Sequence, residues 1–287
     1  MKINKVVPAD NNYALPLTTI PQPPEAIYFL GTLPSKRMPS VAIVGTRKPT
    51  PYGKEVTESF ARRLATEGIV VVSGLAIGVD GLAHRAALNA NGITLAVLAG
   101  ALPHIYPATH RQLAHDIVEA GGALLSEHGP DEHYTVGKWS FLERNRLVSG
   151  LADAILITEA SASSGTLNTA SHALEQGKEV FVIPGNITSP ASAGCNALIK
   201  QGAIPVTSPD DIIEILLPHQ AKSQSVASLG QTPLEQKIIE HISAGVRDGD
   251  QLLGILGIGV AELNTALTMM EMNGTIKSFG SNQWGLR

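Results

Sequence analysis

The sequence lacks several features that would place it in common classes of protein. Its 287 residues include one cysteine, Cys195, so the chain cannot form an internal disulfide and offers no thiolate cluster for a structural zinc. No run of about 18 apolar residues is present, and the chain does not open with a charged segment followed by an apolar stretch, which argues against a membrane span and a signal peptide. These absences predict a cytoplasmic protein without structural metal.

Aromatic residues and positive charge are also scarce. Only 4% of the residues are aromatic, which argues against a long groove of stacking rings. The formal net charge of -4 argues against a protein that coats duplex DNA with a broad basic face. A nucleic-acid site therefore has to be local and built from few side chains. The apolar fraction of 44% is nevertheless enough for a sizeable buried core.

Short apolar runs alternate with helical stretches over most of the chain, after a proline-rich segment, 1–40, that we expect to dock on the core as an extended lead-in. The alternation is typical of βαβ units and predicts an α/β core over 41–218, with an extended Rossmann-like, doubly wound, mostly parallel sheet. The loops that follow parallel strands gather at the carboxyl edge of such a sheet, where ligands bind. Predicted strands are 41–44, 69–72, 94–98, 123–125, 154–158, 179–183 and 204–206.

A smaller second domain is predicted at the carboxyl end. A Ser/Gln-rich stretch, 219–231, is typical of a flexible linker, and three helical segments followed by two short strand-like runs predict a winged helix at 232–287. Residues 231–287 hold four Lys/Arg against six Asp/Glu, and the third predicted helix, 260–273, has no Lys or Arg. A recognition helix normally supplies cations to DNA phosphates. We therefore predict a partner or dimer surface here rather than the main DNA reader.

Two glycine-containing loops follow the first two predicted strands of the core. Gly45, Thr46, Arg47 and Lys48 combine a sharp turn, amide donors and a planar guanidinium, which suit an anion. The run is not a G-x-G-x-x-G fingerprint, so it does not favour a dinucleotide, and a simple turn with a solvated arginine is the alternative interpretation. In the second loop, Gly74 permits close approach of a ligand or a neighbouring loop.

Basic, aromatic and amide side chains come together ahead of the predicted strand at 154–158. A base stacked on a ring, with its phosphate on a neighbouring cation, is a recurring unit of single-strand recognition. The alternative is structural, with the aromatic rings partly in the core and Arg144 in a salt bridge. The residues are Lys138, Trp139, Phe141, Arg144 and Asn145.

A third loop, Ser164, Gly165 and Thr166, lies between a strand and a helix, where amides, hydroxyls and the helix dipole favour phosphate. We expect it to converge with the other loops, and with the run 184–186, on one edge of the sheet. The predicted DNA-binding residues are therefore Gly45, Thr46, Arg47, Lys48, Gly74, Lys138, Phe141, Arg144, Asn145, Ser164, Gly165 and Thr166. No catalytic residue, metal ligand or cofactor is predicted.

Taken in order, these motifs resemble those of the DprA/Smf family of DNA-processing proteins. The resemblance covers roughly 23–215 and is carried by the runs 41–47, 73–84, 144–151, 164–170, 184–185 and 194–199. It implies a cytoplasmic homodimer that binds single-stranded DNA, protects incoming DNA and helps to load the RecA recombinase during natural transformation. It also implies that Arg47, Lys138, Phe141, Arg144 and Asn145 form the DNA pocket. Leu142 replaces the usual proline, and we expect the helical domain that many members carry ahead of the core to be absent.

Two other functions compete with this interpretation. A nucleotide phosphoribohydrolase shares this type of core and uses P-G-G-x-G-T-x-x-E, whose glutamate does the acid/base work. Counting from Gly165 and Thr166, the corresponding residue is Thr169, and a hydroxyl cannot replace that carboxylate. The second competitor is a protein-interaction module that acts through the winged helix.

Overall fold

The computed structural model describes residues 2–130, 134–218 and 232–286. It divides the chain into two compact units, residues 1–216 and 217–287. The predicted linker, 219–231, lies outside the described residues. No helix in the described ranges is long and apolar enough to cross a membrane.

A nine-stranded sheet forms the centre of the first unit. Its strands are β1 (Asn4–Val6), β2 (Ile27–Gly31), β3 (Ser40–Val44), β4 (Val70–Ser73), β5 (Thr94–Val97), β6 (Ala123–Ser126), β7 (Ala154–Ile157), β8 (Glu179–Val182) and β9 (Ile204–Pro205). The order is β1-β2-β6-β5-β4-β3-β7-β8-β9, with β3 to β9 parallel and β1 and β2 antiparallel at one side. This arrangement confirms the predicted Rossmann-like, mostly parallel sheet.

The segment 1–40 contributes more than the extended lead-in expected from the sequence. Strand β2 pairs with β6 from Tyr28 opposite Ser126 to Gly31 opposite Ala123. Gly31 has φ +97°, and a Cβ there would lie 2.3 Å from the Gly122 carbonyl oxygen, so only glycine fits this close approach. Because Tyr13, Leu17 and Ile20 are also buried in the main core cluster, the segment is part of the first unit.

In the described part of the first unit, six α-helices connect successive strands from β3 to β9 and a seventh follows β9: α1 (Pro51–Thr66), α2 (Val79–Asn89), α3 (Arg111–Glu119), α4 (Lys138–Leu151), α5 (Thr166–Glu175), α6 (Ala193–Lys200) and α7 (Pro209–Leu216). Every residue of β3 to β7 is buried, which explains why these strands read as continuous apolar runs. The chain proceeds outward from β3 to β6 and then returns to β7 on the other side of β3. A reversal of this kind opens a crevice at the carboxyl ends of the two central strands.

The second unit is the winged helix predicted from the sequence. It contains α8 (Pro233–Ser243), α9 (Gly249–Leu256), α10 (Val260–Met272), and the hairpin of β10 (Ile276–Gly280) and β11 (Gln283–Leu286). Thr232 caps α8 by accepting from the Glu235 amide, and Asp248 caps α9. Isoleucine and leucine side chains of the three helices, with Met270 and Ile276, form its own core.

Candidate functional site

The loop after β3 is held tightly at the crevice. A Cβ on Gly45 would lie 2.6 Å from the Val79 side chain and 2.9 Å from the Glu159 carbonyl oxygen, so the loop packs against α2 and the end of β7. The Thr46 amide donates to that same Glu159 carbonyl at 2.8 Å, and the Val79 amide donates to the Thr46 carbonyl at 3.2 Å. The backbone that carries Arg47 is therefore fixed from two sides.

Two adjoining pockets lie at this edge of the sheet. Pocket A, of about 550 Å³, is bounded by the loop after β3, helix α4 and the start of α5. Pocket B, of about 570 Å³, is bounded by the loops after β4 and β5 and by α4. Arg47, Ala76, Phe141 and Arg144 line both pockets, and each volume lies within the range typical of small-ligand sites.

Helix α4 and the loop after β3 place a cation on an aromatic ring between the pockets. The exposed Arg47 guanidinium lies 5.1 Å from the centre of the Phe141 ring, within reach of a cation–π interaction. On pocket B's side, the exposed Tyr106 ring lies 5.5 Å from the Phe141 ring at an interplanar angle of 50°. Lys138, exposed in the first turn of α4, lines pocket A. Positive charge and aromatic surface thus meet at one place.

Arg144 lies deeper than a solvent-facing phosphate ligand would. It is 7% exposed, and its Nη1 donates to the Gly74 carbonyl oxygen at 2.7 Å and to the Val97 carbonyl oxygen. Burial lowers the pKa of the Arg144 guanidinium to about 10, although the nearby charge of Asp80 acts to raise it. The alternative of a salt bridge applies to Arg146 instead, whose Nη2 donates to both Glu127 carboxylate oxygens at 2.7 Å.

Asp80 holds the same loop from the opposite side. Its carboxylate accepts from the amides of Gly74 at 3.1 Å and of Ala76 at 3.4 Å. Burial raises the pKa of Asp80, while the Arg144 charge and the two amides oppose that shift. The backbone of Gly74 is therefore held on both sides, with its N–H donating to Asp80 and its C=O accepting from Arg144. Of these three residues, Gly74 lines pocket B, Asp80 lines pocket A and Arg144 lines both.

The start of α5 closes pocket A on its far side. Ser164, Gly165 and Thr166 all line the pocket, and the Thr166 amide donates to the Ser164 hydroxyl at 3.2 Å. Asn145 ties α4 to α5 by donating to the Asn168 side-chain oxygen at 3.2 Å. Because amides and the positive end of the dipole point out of a helix start, this wall favours an anion.

Most of the predicted residues line the pockets, with some differences. Gly74 lines pocket B, and the others except Lys48 line pocket A. Lys48 is exposed beside Arg47 but lines neither pocket. The run 184–186 lies on the same edge of the sheet, yet it lines a separate cavity of about 470 Å³ with Thr50, Tyr52 and Glu159.

Sequence reasoning missed the contribution of the loop after β5. His104, Tyr106 and Arg111 line pocket B, and none of them was predicted. The signal was available, because this loop also follows a parallel strand and ends at the same edge. Leu142, which replaces the usual proline, lines pocket A.

The residue decisive for the enzymatic alternative also lies in pocket A. Thr169 is buried and lines the pocket, at the position where a phosphoribohydrolase would carry its glutamate. Among the described residues that line pocket A, the one carboxylate is Asp80, whose oxygen accepts from two backbone amides. The pocket thus offers donors and cations to a ligand.

Comparisons with known proteins identify relatives of both units. The family model for DNA recombination-mediator protein A matches residues 4–217, and the model for the DprA winged helix domain matches 220–280. Protein Smf of Escherichia coli is 39% identical over 281 residues, covering 94% of this chain and 74% of the relative. DNA processing protein DprA of Bacillus subtilis is 42% identical over 216 residues, covering 75% and 71% of the two chains.

Two solved structures are similar to the chain. DNA processing protein A of Streptococcus pneumoniae superposes with a TM-score of 0.68 at 36% identity and covers 75% of each chain. The protein of the same name from Helicobacter pylori gives a TM-score of 0.65 at 33% identity, covering 76% of this chain and 97% of that one. The H. pylori structure was solved in a study of that protein's single-stranded DNA binding mode.

Proposed function

Because the chain belongs to the DprA/Smf family of DNA recombination-mediator proteins, we propose that it binds single-stranded DNA in pockets A and B. The observation that carries this proposal is the placement of the Arg47 guanidinium on the Phe141 ring, with Lys138 and the start of α5 facing the same pocket. Cations beside an aromatic face match a strand that presents phosphates and unpaired bases together. The single-stranded DNA binding described for the H. pylori relative supports the same function.

The walls of the two pockets suit different parts of a nucleotide. Pocket A offers Lys138, Arg47 and the α5 start, which are groups for phosphate oxygens. Pocket B adds apolar side chains such as Ile77, Leu98 and Ile105, which suit a base more than a phosphate. Backbone and stacking contacts of this kind predict little sequence preference.

We propose that the protein acts by binding, without catalysis and without a cofactor. Thr169 supports this view, because its hydroxyl cannot serve as the acid/base group that nucleotide hydrolysis requires. Incubation with AMP is the discriminating measurement. We expect no adenine to appear, and release of adenine with turnover would assign the chain to the enzymatic alternative.

The wider role follows from the family. We propose that the chain works as a cytoplasmic homodimer that protects incoming single strands and helps to load RecA on them during natural transformation. The family description as a recombination mediator supports the handover to a recombinase, and the buried free thiol of Cys195 suits a reducing compartment. A RecA-loading assay on DNA covered by a single-strand-binding protein tests the handover, and failure to speed RecA assembly would contradict it.

The binding proposal is tested by titrating labelled single- and double-stranded oligonucleotides with variants of the cation–ring pair. Arg47→Ala should weaken single-strand binding about tenfold or more, because it removes a charge-assisted contact. Phe141→Ala should weaken it about fivefold or more through lost stacking. Arg62→Ala is the matched control, since it also removes an exposed charge but one that lines neither pocket.

Salt dependence provides a second criterion. If three or four cations meet phosphates, log K should fall with log salt at a slope of about -2 to -3 for a single strand. Arg47→Ala should make that slope shallower by about 0.7. A salt-independent affinity, or equal losses for Arg47→Ala and Arg62→Ala, would contradict binding in these pockets.

A further inference from the structure

Helix α4 carries two aromatic side chains: Phe141 lines both pockets, whereas Trp139 lines neither. It is 80% exposed, although tryptophan is a large residue that normally buries most of its surface. It does not line pocket A or B, and it lies in the first turn of α4 between Lys138 and the capping residue Ser140. An indole with this exposure contributes little to the packing of the core.

Helix geometry places this indole beside pocket A. Successive residues of an α-helix are rotated by roughly 100°, so residues three apart lie on the same side. Lys138, Leu142 and Asn145 line pocket A from α4, and Phe141 and Arg144 line both pockets, so these residues define the side of the helix that faces the site. Trp139 precedes Leu142 by three residues and therefore lies at the edge of that side, on the flank opposite Phe141.

We propose that a base of the bound single strand stacks on Trp139, outside the two pockets. This inference rests on the proposed binding of the strand in pocket A. The neighbouring Lys138 and the positive end of the α4 dipole attract the phosphate that leads to this base. The carboxylate of Glu143, which is exposed one turn after Trp139, repels a DNA phosphate and offsets part of this attraction. Stacking on the indole is therefore the contact that holds the strand at this point, and it is independent of base identity.

Intrinsic fluorescence tests the proposal directly, because the chain contains two tryptophans. In a W284F background, Trp139 is the sole tryptophan, and titration with a (dT)12 oligonucleotide should quench the tryptophan emission in step with binding measured by anisotropy. W139A in the same background should weaken (dT)12 binding by about 5- to 100-fold, and W139F should restore most of the loss.

An abasic oligonucleotide of equal length separates stacking from charge. The W139A loss should vanish on this backbone, whereas the Arg47→Ala loss should persist because it comes from phosphate. Unchanged Trp139 emission at saturating DNA, or equal affinities of W139A and its parent for (dT)12, would contradict stacking on Trp139. Such a result would favour a contact between the indole and a protein partner. If the parent itself does not bind (dT)12, the proposed function fails first.

Discussion

The hydrogen bonds that hold the backbone of Gly74 allow a quantitative prediction for Gly74→Ala. A Cβ at this position would lie 2.4 Å from Nη2 and 2.6 Å from Nη1 of Arg144. The guanidinium is the far end of a flexible side chain, yet it is buried and its Nη1 donates to two carbonyl oxygens, of Gly74 and Val97. It therefore cannot move aside without losing hydrogen bonds that water does not replace.

The cost can be estimated from those bonds. A hydrogen bond from a charged donor contributes about 1.5 to 3 kcal/mol, and a displaced Arg144 would lose one bond fully or both in part. We therefore expect Gly74→Ala to lower the free energy of unfolding of the first unit by about 1.5 to 3 kcal/mol. Single-strand affinity should fall as well, because Arg144 and Gly74 shape pocket B.

Urea unfolding followed by circular dichroism measures this loss, with the transitions of the two units fitted separately. Gly165→Ala is the matched control, because a Cβ there meets nothing within 4 Å and the residue already has a helical φ of -60°. Its effect should stay within about 1 kcal/mol. If the two variants unfold alike, Arg144 does not hold the Gly74 loop as described.

Two further predictions concern pH and the second unit. Burial lowers the pKa of His84 from 6.5 to about 3, so the folded state binds fewer protons than the unfolded chain between these values. Stability should therefore fall as pH drops from about 6.5 towards 3, by up to about 1.4 kcal/mol per pH unit, and a thermal or urea series with His84→Gln should show a flatter slope. A variant that ends at Pro218 should keep most of the single-strand affinity, because α10 has no Lys or Arg to contact phosphates. Loss of most of the affinity in the same oligonucleotide titration would show that the winged helix is the main DNA-binding domain.

The positions of the core strands along the chain could be predicted because each is a buried apolar run followed by a turn. Strand β2 was harder to recognise, since Ile27–Gly31 follows a proline-rich stretch and becomes a strand through pairing with β6, almost a hundred positions later. Local composition carries little information about such a partner. Tyr106 was missed although its loop also follows a parallel strand, because the sequence does not show that this loop brings the ring against Phe141.

Most of the residues predicted from the sequence lie together around pockets A and B, but the sequence did not indicate how deeply each side chain is buried. Arginine is the natural phosphate ligand, so Arg47 and Arg144 read alike in the sequence. The structure separates them, because Arg47 is exposed on a loop and Arg144 is buried under one. The α4 sequence has no clear apolar stripe, since buried arginines occupy positions that a periodicity analysis counts as solvent-facing.

The carboxylate of Glu159 decides which helix can attract a phosphate. Helices α1 and α5 both begin at the crevice, and each would draw negative charge to its first turn. At α1 that charge is supplied from within the protein, because the buried Glu159 accepts from the Thr50 amide at 2.8 Å and from its hydroxyl at 2.6 Å. The α1 start is thus already occupied by a side-chain carboxylate of the protein itself, and on the proposed function the α5 start remains for a phosphate of the strand.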